Sequence, residues 1–393
     1  MGRGSASQGR LILALDQGGH ASRAVVYDAA GQGIAQAEIP ITTQRSGDDR
    51  VEHDADQLVT SLSEAANEAL AGIGGDPRLR AIGLATQRST IVCWDKDTGR
   101  ALSPAISWQD RRGQAFVEQL RARETRIREI SGLVLSPHYG ASKLRWCLEN
   151  LHEVRRAAAA GRLLAGPLSS FLLARLLKEK PALVDPANAA RTQLFEPAAC
   201  NWSALLLDAF QVPVSVLPHC VPTRHLYGTM PVGRWSVPMR ACTGDQAAVP
   251  FAFGAPAADT AYVNAGTGAF VQRLTSAQDP VPSGLLRSVL CSEDTTVRYS
   301  LEGTVNGAGS AIEWLDDRIE TDAQHALATL TAPAGEEPPL FMNGIGGLGA
   351  PYWQPRFSTE FLGEGDEISQ LRAVVESIAF LLNVNLALMR SAG

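Results

Sequence analysis

The sequence predicts an α/β protein of two domains. Strand-like and helix-like segments alternate along it, a glycine hairpin occurs twice, and 393 residues exceed what one domain usually holds. The two hairpins turn at Asp16-Gln17-Gly18-Gly19 and at Ala265-Gly266-Thr267-Gly268, each between two apolar runs.

Taken in order, LILALD over 11–16 is a short apolar run that ends in an acid. RAVVYD and IAQAEIPI follow across the turns QGGHAS and AAGQG, so the chain opens with an antiparallel meander. Residues 54–73 predict a helix, with Asp54 or Asp56 as its cap. LRAIGLAT (79–86) and TIVCWD (90–95) read as strands. Arg111 to Ile130 reads as a helix, with Arg111, Arg112, Arg121, Arg123, Arg126 and Arg128 on a solvated face among acid partners. Residues 155–178 read as helical around Gly166-Pro167, and Trp202 to Phe210 as a short helix. Strand character returns over 228–242, and a second hairpin covers 261–274. The boundary is expected near Gly254-Ala255-Pro256, giving domains at 10–254 and 255–393. After Asp366, Ile368, Leu371, Val375, Ile378, Leu382 and Leu386 recur at helical spacing.

A formal net charge of -6 disfavours a nucleic-acid-binding surface, so any phosphate site must be built locally. The six cysteines are widely spaced and form no CxxC pair, which fits reduced thiols in a cytosol. The first ten residues are polar and Gly/Ser-rich, without the apolar stretch of a signal peptide, and no run is read as reaching membrane length. These features predict a cytoplasmic protein with no membrane partner, leaving homo-oligomerisation open.

Glycines at both turns would let backbone N–H groups approach an anion, and two such turns could hold a polyphosphate; two ordinary hairpins are the plainer reading. No Walker A segment occurs, and no GxGxxG follows a strand. Asp16 either caps its turn or faces a hydrated magnesium ion. Asp245 either caps a helix or accepts a proton from a hydroxyl.

A series of segments then matches a known family in order. LALDQGGHASRAVVYD, Arg50-Val51-Glu52-His53-Asp54, Gly83-Leu84-Ala85-Thr86-Gln87-Arg88, Ser107-Trp108-Gln109-Asp110-Arg111-Arg112 and Asp185 to Thr192 come first. Gly244-Asp245-Gln246, Ala265 to Gly268, Leu301-Glu302-Gly303 and Gly346 to Trp353 follow. Together they resemble the FGGY family of carbohydrate kinases, nearest its glycerol kinase branch. The resemblance implies a two-domain actin-like ATPase (ASKHA, ribonuclease H-like) fold, with ATP and Mg2+ as cofactors and phosphoryl transfer to a small polyol or sugar. By the same resemblance Asp245 is the general base and Asp16 the acid on the metal side. Arg88, Trp108, Tyr139 and Gln246 bind substrate, with Ser89 and His138 in the pocket. Gly18, Gly19, His20 and Arg23, together with Gly266, Thr267 and Gly268, contact phosphate.

The chain departs from that pattern at named places. Gly19 and His20 replace two threonines, Ser89 replaces a glutamate, and His138 stands at the pocket tyrosine with Tyr139 beside it. The family's Arg-Gly falls near Ser358-Thr359, and a later Gly-Gly segment that lines the adenosine pocket has no counterpart. This implies a truncated, incomplete second domain, and admits a non-catalytic sugar-binding protein or decayed kinase as the alternative function.

Overall fold

The computed structural model describes residues 10–74, 78–294, 296–329 and 339–392; the polar lead at 1–9 lies outside them. The chain divides into two compact units. One holds the residues up to Ala248 together with Ser288–Val297, and the other holds Val249–Arg287 with the residues from Arg298 on. The expected linker at Gly254 falls a few residues into the second unit.

In the first unit the meander is β1 (Leu11–Gln17), β2 (Ala21–Tyr27) and β3 (Gly33–Pro40), followed by α1 (Ala55–Ala71) and β4 (Leu79–Thr86). Leu11, Leu13 and Leu15 of β1 are buried at the two-residue period of a strand. They meet Leu58, Leu62, Ala65, Ala66 and Ala69 of α1, buried at the helical period, in one core. Asp54 caps α1: its carboxylate accepts from the amides of Asp56 and Gln57. Farther on come α2 (Gly140–Asn150), α3 (Leu168–Leu176), α4 (Pro186–Ala190), β5 (Arg224–Val232) and β6 (Trp235–Gly244). The main sheet runs β5-β6-β4-β1-β2-β3, with β6, β4 and β1 parallel.

The structure corrects three readings. Residues 155–178 are not continuously helical: a strand at Leu163–Pro167 pairs antiparallel with Ile91–Asp95 before α3 begins. That strand is apolar on both faces, so periodicity does not separate it from a buried helix. The strand expected over 228–242 is a hairpin that reverses at Gly233, whose φ of 54° suits glycine. Arg111 to Ile130 is broken into helices at Gln114–Gln119 and Glu124–Ser131. Its arginines mostly sit on the expected charged face: Arg121 pairs with Glu118 and Glu124, and Arg126 with Glu129. Arg112 is the exception, buried against Asp110 and Glu52 with its guanidinium over the Trp146 ring.

Next come β7 (Ala261–Ala265), β8 (Ala269–Thr275), β9 (Leu286–Glu293) and β10 (Thr296–Val305), in sheet order β7-β8-β10-β9; β7, β8 and β10 from Arg298 on belong to the second unit, and β9 from Ser288 on belongs to the first. The helices α5 (Gly309–Asp316) and α6 (Glu367–Ser391) follow. Asp366 caps α6 by accepting from the Ser369 amide at 2.8 Å. The buried face of α6 is Leu371, Ala373, Val374, Ser377, Asn385 and Met389, while Ile368 is exposed. By length and composition alone α6 is apolar enough to cross a membrane, contrary to the sequence reading. Its Leu371 and Val374 lie instead in a core with Phe341, Ala311 and Leu315.

Replacing Asp54 by alanine removes the acceptor for two helix-end amides, and should lower unfolding stability by about 1 kcal/mol. Chemical denaturation of the Asp54→Ala variant checks this; an unchanged midpoint would remove the cap from the account of α1.

Candidate functional site

Three parallel strands end in one row. Gln17 of β1 lies opposite Thr86 of β4, and Thr86 opposite Gly244 of β6. The Gln87 amide extends the row by donating to the Gln17 carbonyl at 2.8 Å. The segments that follow are therefore brought together at the carboxyl ends of the strands: Gly18-Gly19, Gln87-Arg88-Ser89 and Asp245-Gln246. That edge is where α/β sheets commonly bind ligands.

Asp245 opens a short helix, and its carboxylate accepts the amide of Gln246 at 2.6 Å. Arg88 Nε stands 3.8 Å from Asp245 Oδ1; the Arg88 side chain is 7% exposed and that of Asp245 33%. Burial raises the Asp245 carboxyl above its ordinary value, and Arg88 pulls it partly back. Gly244 makes room for this pair. A Cβ there would lie 2.5 Å from Arg88 Cγ, so the arginine stem crosses the strand end directly over the glycine.

Asp16 sits one residue before the end of β1, opposite Arg23, with Arg23 Nη1 3.8 Å from its carboxylate. Burial raises its carboxyl, as does the charge of Asp245. Arg23 also donates from Nε to Glu38 at 2.6 Å. Gly18 and Gly19 are fixed through their carbonyls, which accept from Gln87 Nε2 at 3.1 Å and Thr43 Oγ1 at 3.2 Å. Neither glycine adopts a left-handed φ, so the alternating-hand nest is not the geometry of this turn. His20 is exposed, and its carbonyl accepts the Ile41 amide.

Around Arg88 the wall is held by a buried ammonium. Lys143 on α2 donates to the carbonyls of Ser89 at 3.0 Å, Ser107 at 2.7 Å and His138 at 2.7 Å. Its three N–H groups thereby tie the segments that carry Ser89, Trp108 and His138. Burial lowers its pKa to about 7, with Asp110 opposing that shift. Ser89 itself has a φ of 64°, a left-handed backbone that a serine adopts only under constraint. Its Oγ donates to the Arg191 carbonyl at 3.3 Å.

The ring of His138 packs edge-on against Trp108 at 5.6 Å and Tyr139 at 5.0 Å. Burial holds His138 well below its ordinary value, reinforced by Lys143, Arg191, Arg111 and Arg88. Tyr139 is buried and hydrogen-bonds Arg191 through its side chain. Arg191 follows α4, whose cap Asp185 accepts from the Asn188 amide and Nδ2. Burial lowers the Arg191 guanidinium to about 9, with the positive charge of Arg88 the next cause.

In the second unit, Gly266-Thr267-Gly268 forms the tight turn of the β7–β8 hairpin, with Ala265 paired to Ala269. The Gly309 amide donates to the Gly266 carbonyl at 2.8 Å, and the Ala308 and Ser310 amides donate to the Thr267 carbonyl. The turn is thus pinned to the start of α5, and Gly266 and Thr267 remain exposed.

Lys143 and Arg191 carry this geometry, yet neither has a role in the sequence reading. The signal is a charged residue inside a run that is otherwise small or apolar: Ala141 to Leu144, and Ala187 to Thr192.

Residues 11–261 match the model of the FGGY family of carbohydrate kinases, N-terminal domain, and residues 261–392 match its C-terminal domain. The second match gives no support to the expected truncation of that domain. The glycerol kinase of Shewanella sp. (strain ANA-3) is 35% identical over 385 residues, covering 95% of this chain and 78% of its own length. The glycerol kinase of Azotobacter vinelandii is 35% identical over 397 residues, covering 97% and 78%. Among solved structures, Plasmodium falciparum glycerol kinase with ADP matches at a TM-score of 0.86 and 24% identity, covering 98% of this chain and 79% of that one. A xylulose kinase from Brucella ovis matches at 0.85 and 24%, covering 98% and 80%. These structures establish the fold, the two-domain actin-like architecture of such kinases.

Two outcomes follow from the buried charges. Lys143→Met leaves three carbonyls without their donor and should cost roughly 3 kcal/mol or more of stability. Denaturant titration within 1 kcal/mol of the parent would remove Lys143 as the tie between those segments. The second concerns pH. His138 is depressed below the ordinary 6.5, so the unfolded chain binds a proton that the folded chain refuses. Its contribution is present above pH 6.5 and is lost as the pH falls below that value; His53, also depressed, acts in the same direction. Melting curves of His138→Asn between pH 7.5 and 5 should fall less steeply than those of the parent, and an equal slope would refute the assignment.

Proposed function

Because the chain belongs to the FGGY family of carbohydrate kinases, we propose that it transfers the terminal phosphoryl group of ATP to a hydroxyl of a small polyol or sugar. The observation that carries this reading is Asp245. It is a partly exposed carboxylate of raised basicity, held beside Arg88 at the ends of three parallel strands.

The acceptor hydroxyl lies against Asp245, which takes its proton as the hydroxyl oxygen attacks the terminal phosphorus. A new O–P bond forms, the bond from phosphorus to the bridging oxygen breaks, and ADP leaves. Arg88 and Gln246 orient the remaining hydroxyls, and Trp108, Tyr139 and His138 form the wall with Ser89. Gly18, Gly19, His20 and Arg23 are assigned to phosphate contact. Gly266, Thr267 and Gly268 of the second unit carry a phosphate assignment from the resemblance, supported by the exposure of Gly266 and Thr267 and by their pinned carbonyls.

Asp16 fits a magnesium ion: it is an oxygen donor, and burial together with the charge of Asp245 raises its carboxyl, a penalty on the ionised form that a cation relieves. Among the described residues no group of three or more His, Cys, Asp or Glu side chains forms a metal cage. A metal held by one or two carboxylates plus phosphate and water needs none. When bound, the ion supplies neutralisation of phosphate charge.

We place the protein in the cytoplasm, acting on small molecules, a reading supported against nucleic acid by its net charge of -6 and for the cytoplasm by six cysteines with no CxxC pair. ADP release from ATP, with and without added polyols and sugars, tests the function. Stabilisation by a sugar without ADP release would favour the non-catalytic reading. Asp245→Asn should lower turnover by roughly 10²–10⁴-fold while keeping the fold intact. Wild-type turnover in that variant would remove Asp245 from the mechanism.

A further inference from the structure

The cysteines stand far apart in the sequence, yet the fold brings two half-buried ones into contact. Cys200 lies in the turn of a hairpin whose strands are Phe195–Glu196 and Asn201–Trp202. Cys220 lies in the strand His219–Cys220, which pairs parallel with Leu183–Val184. The two thiols meet in a side-chain hydrogen bond. Other groups fix the frame around them. Trp202 Nε1 donates to the Pro218 carbonyl at 2.9 Å, the His219 amide to the Ala182 carbonyl at 2.8 Å, and the Val221 amide to the Val184 carbonyl at 2.9 Å. Cys200 has a φ of 49°, a left-handed backbone that glycine takes without steric cost. A cysteine held in that conformation, with its sulfur on a second sulfur, points to a use for the thiol. A further contact between thiols, Cys93 with Cys147, is buried away from solutes.

We propose that Cys200 and Cys220 are a modification site: they form a reversible disulfide by exchange with a small disulfide of the glutathione type. The bond staples the segment carrying Arg191 at both ends. Cys220 borders the strand that enters α4, and Cys200 sits in the hairpin that follows Arg191. Cys200 is the attacking group. The hydrogen bond from the Cys220 thiol lowers the pKa of Cys200, while the same bond and burial raise that of Cys220. The Cys200 thiolate attacks one sulfur of the small disulfide, whose S–S bond breaks and releases one thiolate. Cys220 then loses its proton, attacks the Cys200 sulfur and expels the second thiolate. Both protein thiols are oxidised, the small disulfide is reduced to two thiols, and the two cysteine protons end on them. In a reducing cytosol such a bond is transient, so it agrees with thiols that are reduced at rest. None of these steps depends on the kinase reading.

The test incubates the intact chain with mixtures of reduced and oxidised glutathione, quenches by alkylation and maps peptides by mass spectrometry. The expected result is a linked Cys200–Cys220 peptide, broken by dithiothreitol. It should form roughly 10-fold or more faster than any linked Cys93–Cys147 peptide, because that pair is buried. Cys220→Ser should instead retain glutathione on Cys200, since the thiol that would displace it is gone. The oxidised chain should melt at a higher temperature than the reduced one, and Cys200→Ser should lose that difference. Free, alkylated Cys200 and Cys220 at every glutathione ratio overturn the proposal. Glutathione retained on either residue of the unaltered chain, with no link between them, overturns it as well. Equal rates for the two pairs would place the reaction in the unfolded chain and do the same. A linked chain with an unchanged melting temperature overturns the staple.

Discussion

The shared register of β1, β4 and β6 is the constraint on which the site depends. Parallel strands end on the same side, and here Gln17, Thr86 and Gly244 end in the same row. Every residue assigned to the acceptor or to proton transfer lies on a segment leaving that row, or on one tied to it by Lys143. A slip of one residue in β6 would turn Asp245 to the opposite face of the sheet. It would also place a side chain where Gly244 now lets Arg88 pass.

Burial then sets the chemistry. Taking carboxylates out of water raises their basicity, and taking cations out of water weakens their hold on protons. Asp245 and Asp16 move in the first sense, and Arg88, Arg191, Lys143 and His138 in the second. The same desolvation makes a stronger base of Asp245 and loosens the hold of the neighbouring cations on their protons. A left-handed Ser89 is held between the Lys143 ammonium and the Arg191 carbonyl, so the strained segment and the charged wall form one assembly.

Local patterns were legible where burial was one-sided. β1 reads as an apolar run that ends in an acid and a turn, α1 repeats at the helical period because one face lies in the core, and both appear at the expected places. Two-sided burial is less legible: Ile91–Asp95 is buried throughout and still reads as a strand, but a second such run does not. The strand Leu163–Pro167 is apolar throughout and was read as part of a helix. Arg112 was placed on a solvated face with its neighbours, but two acids and a tryptophan ring cover it.

The sequence by itself determined the α/β class, the two glycine hairpins, the cap Asp366, the choice between Asp54 and Asp56 as the other cap, and the candidate residues Asp16, Arg88 and Asp245. These depend on local periodicity, on turn chemistry, or on motifs a few residues long. Only the tertiary structure decided that Lys143 and Arg191 belong to the site, or that the first glycine turn lacks the nest geometry. It alone also set the balance of charge around Asp245. Those are sums over groups far apart in the chain: Lys143 lies 54 residues from the Ser89 carbonyl that it holds. Such a sum exists only once the chain has folded, because desolvation and Coulomb energy depend on distance in space and not on spacing in sequence.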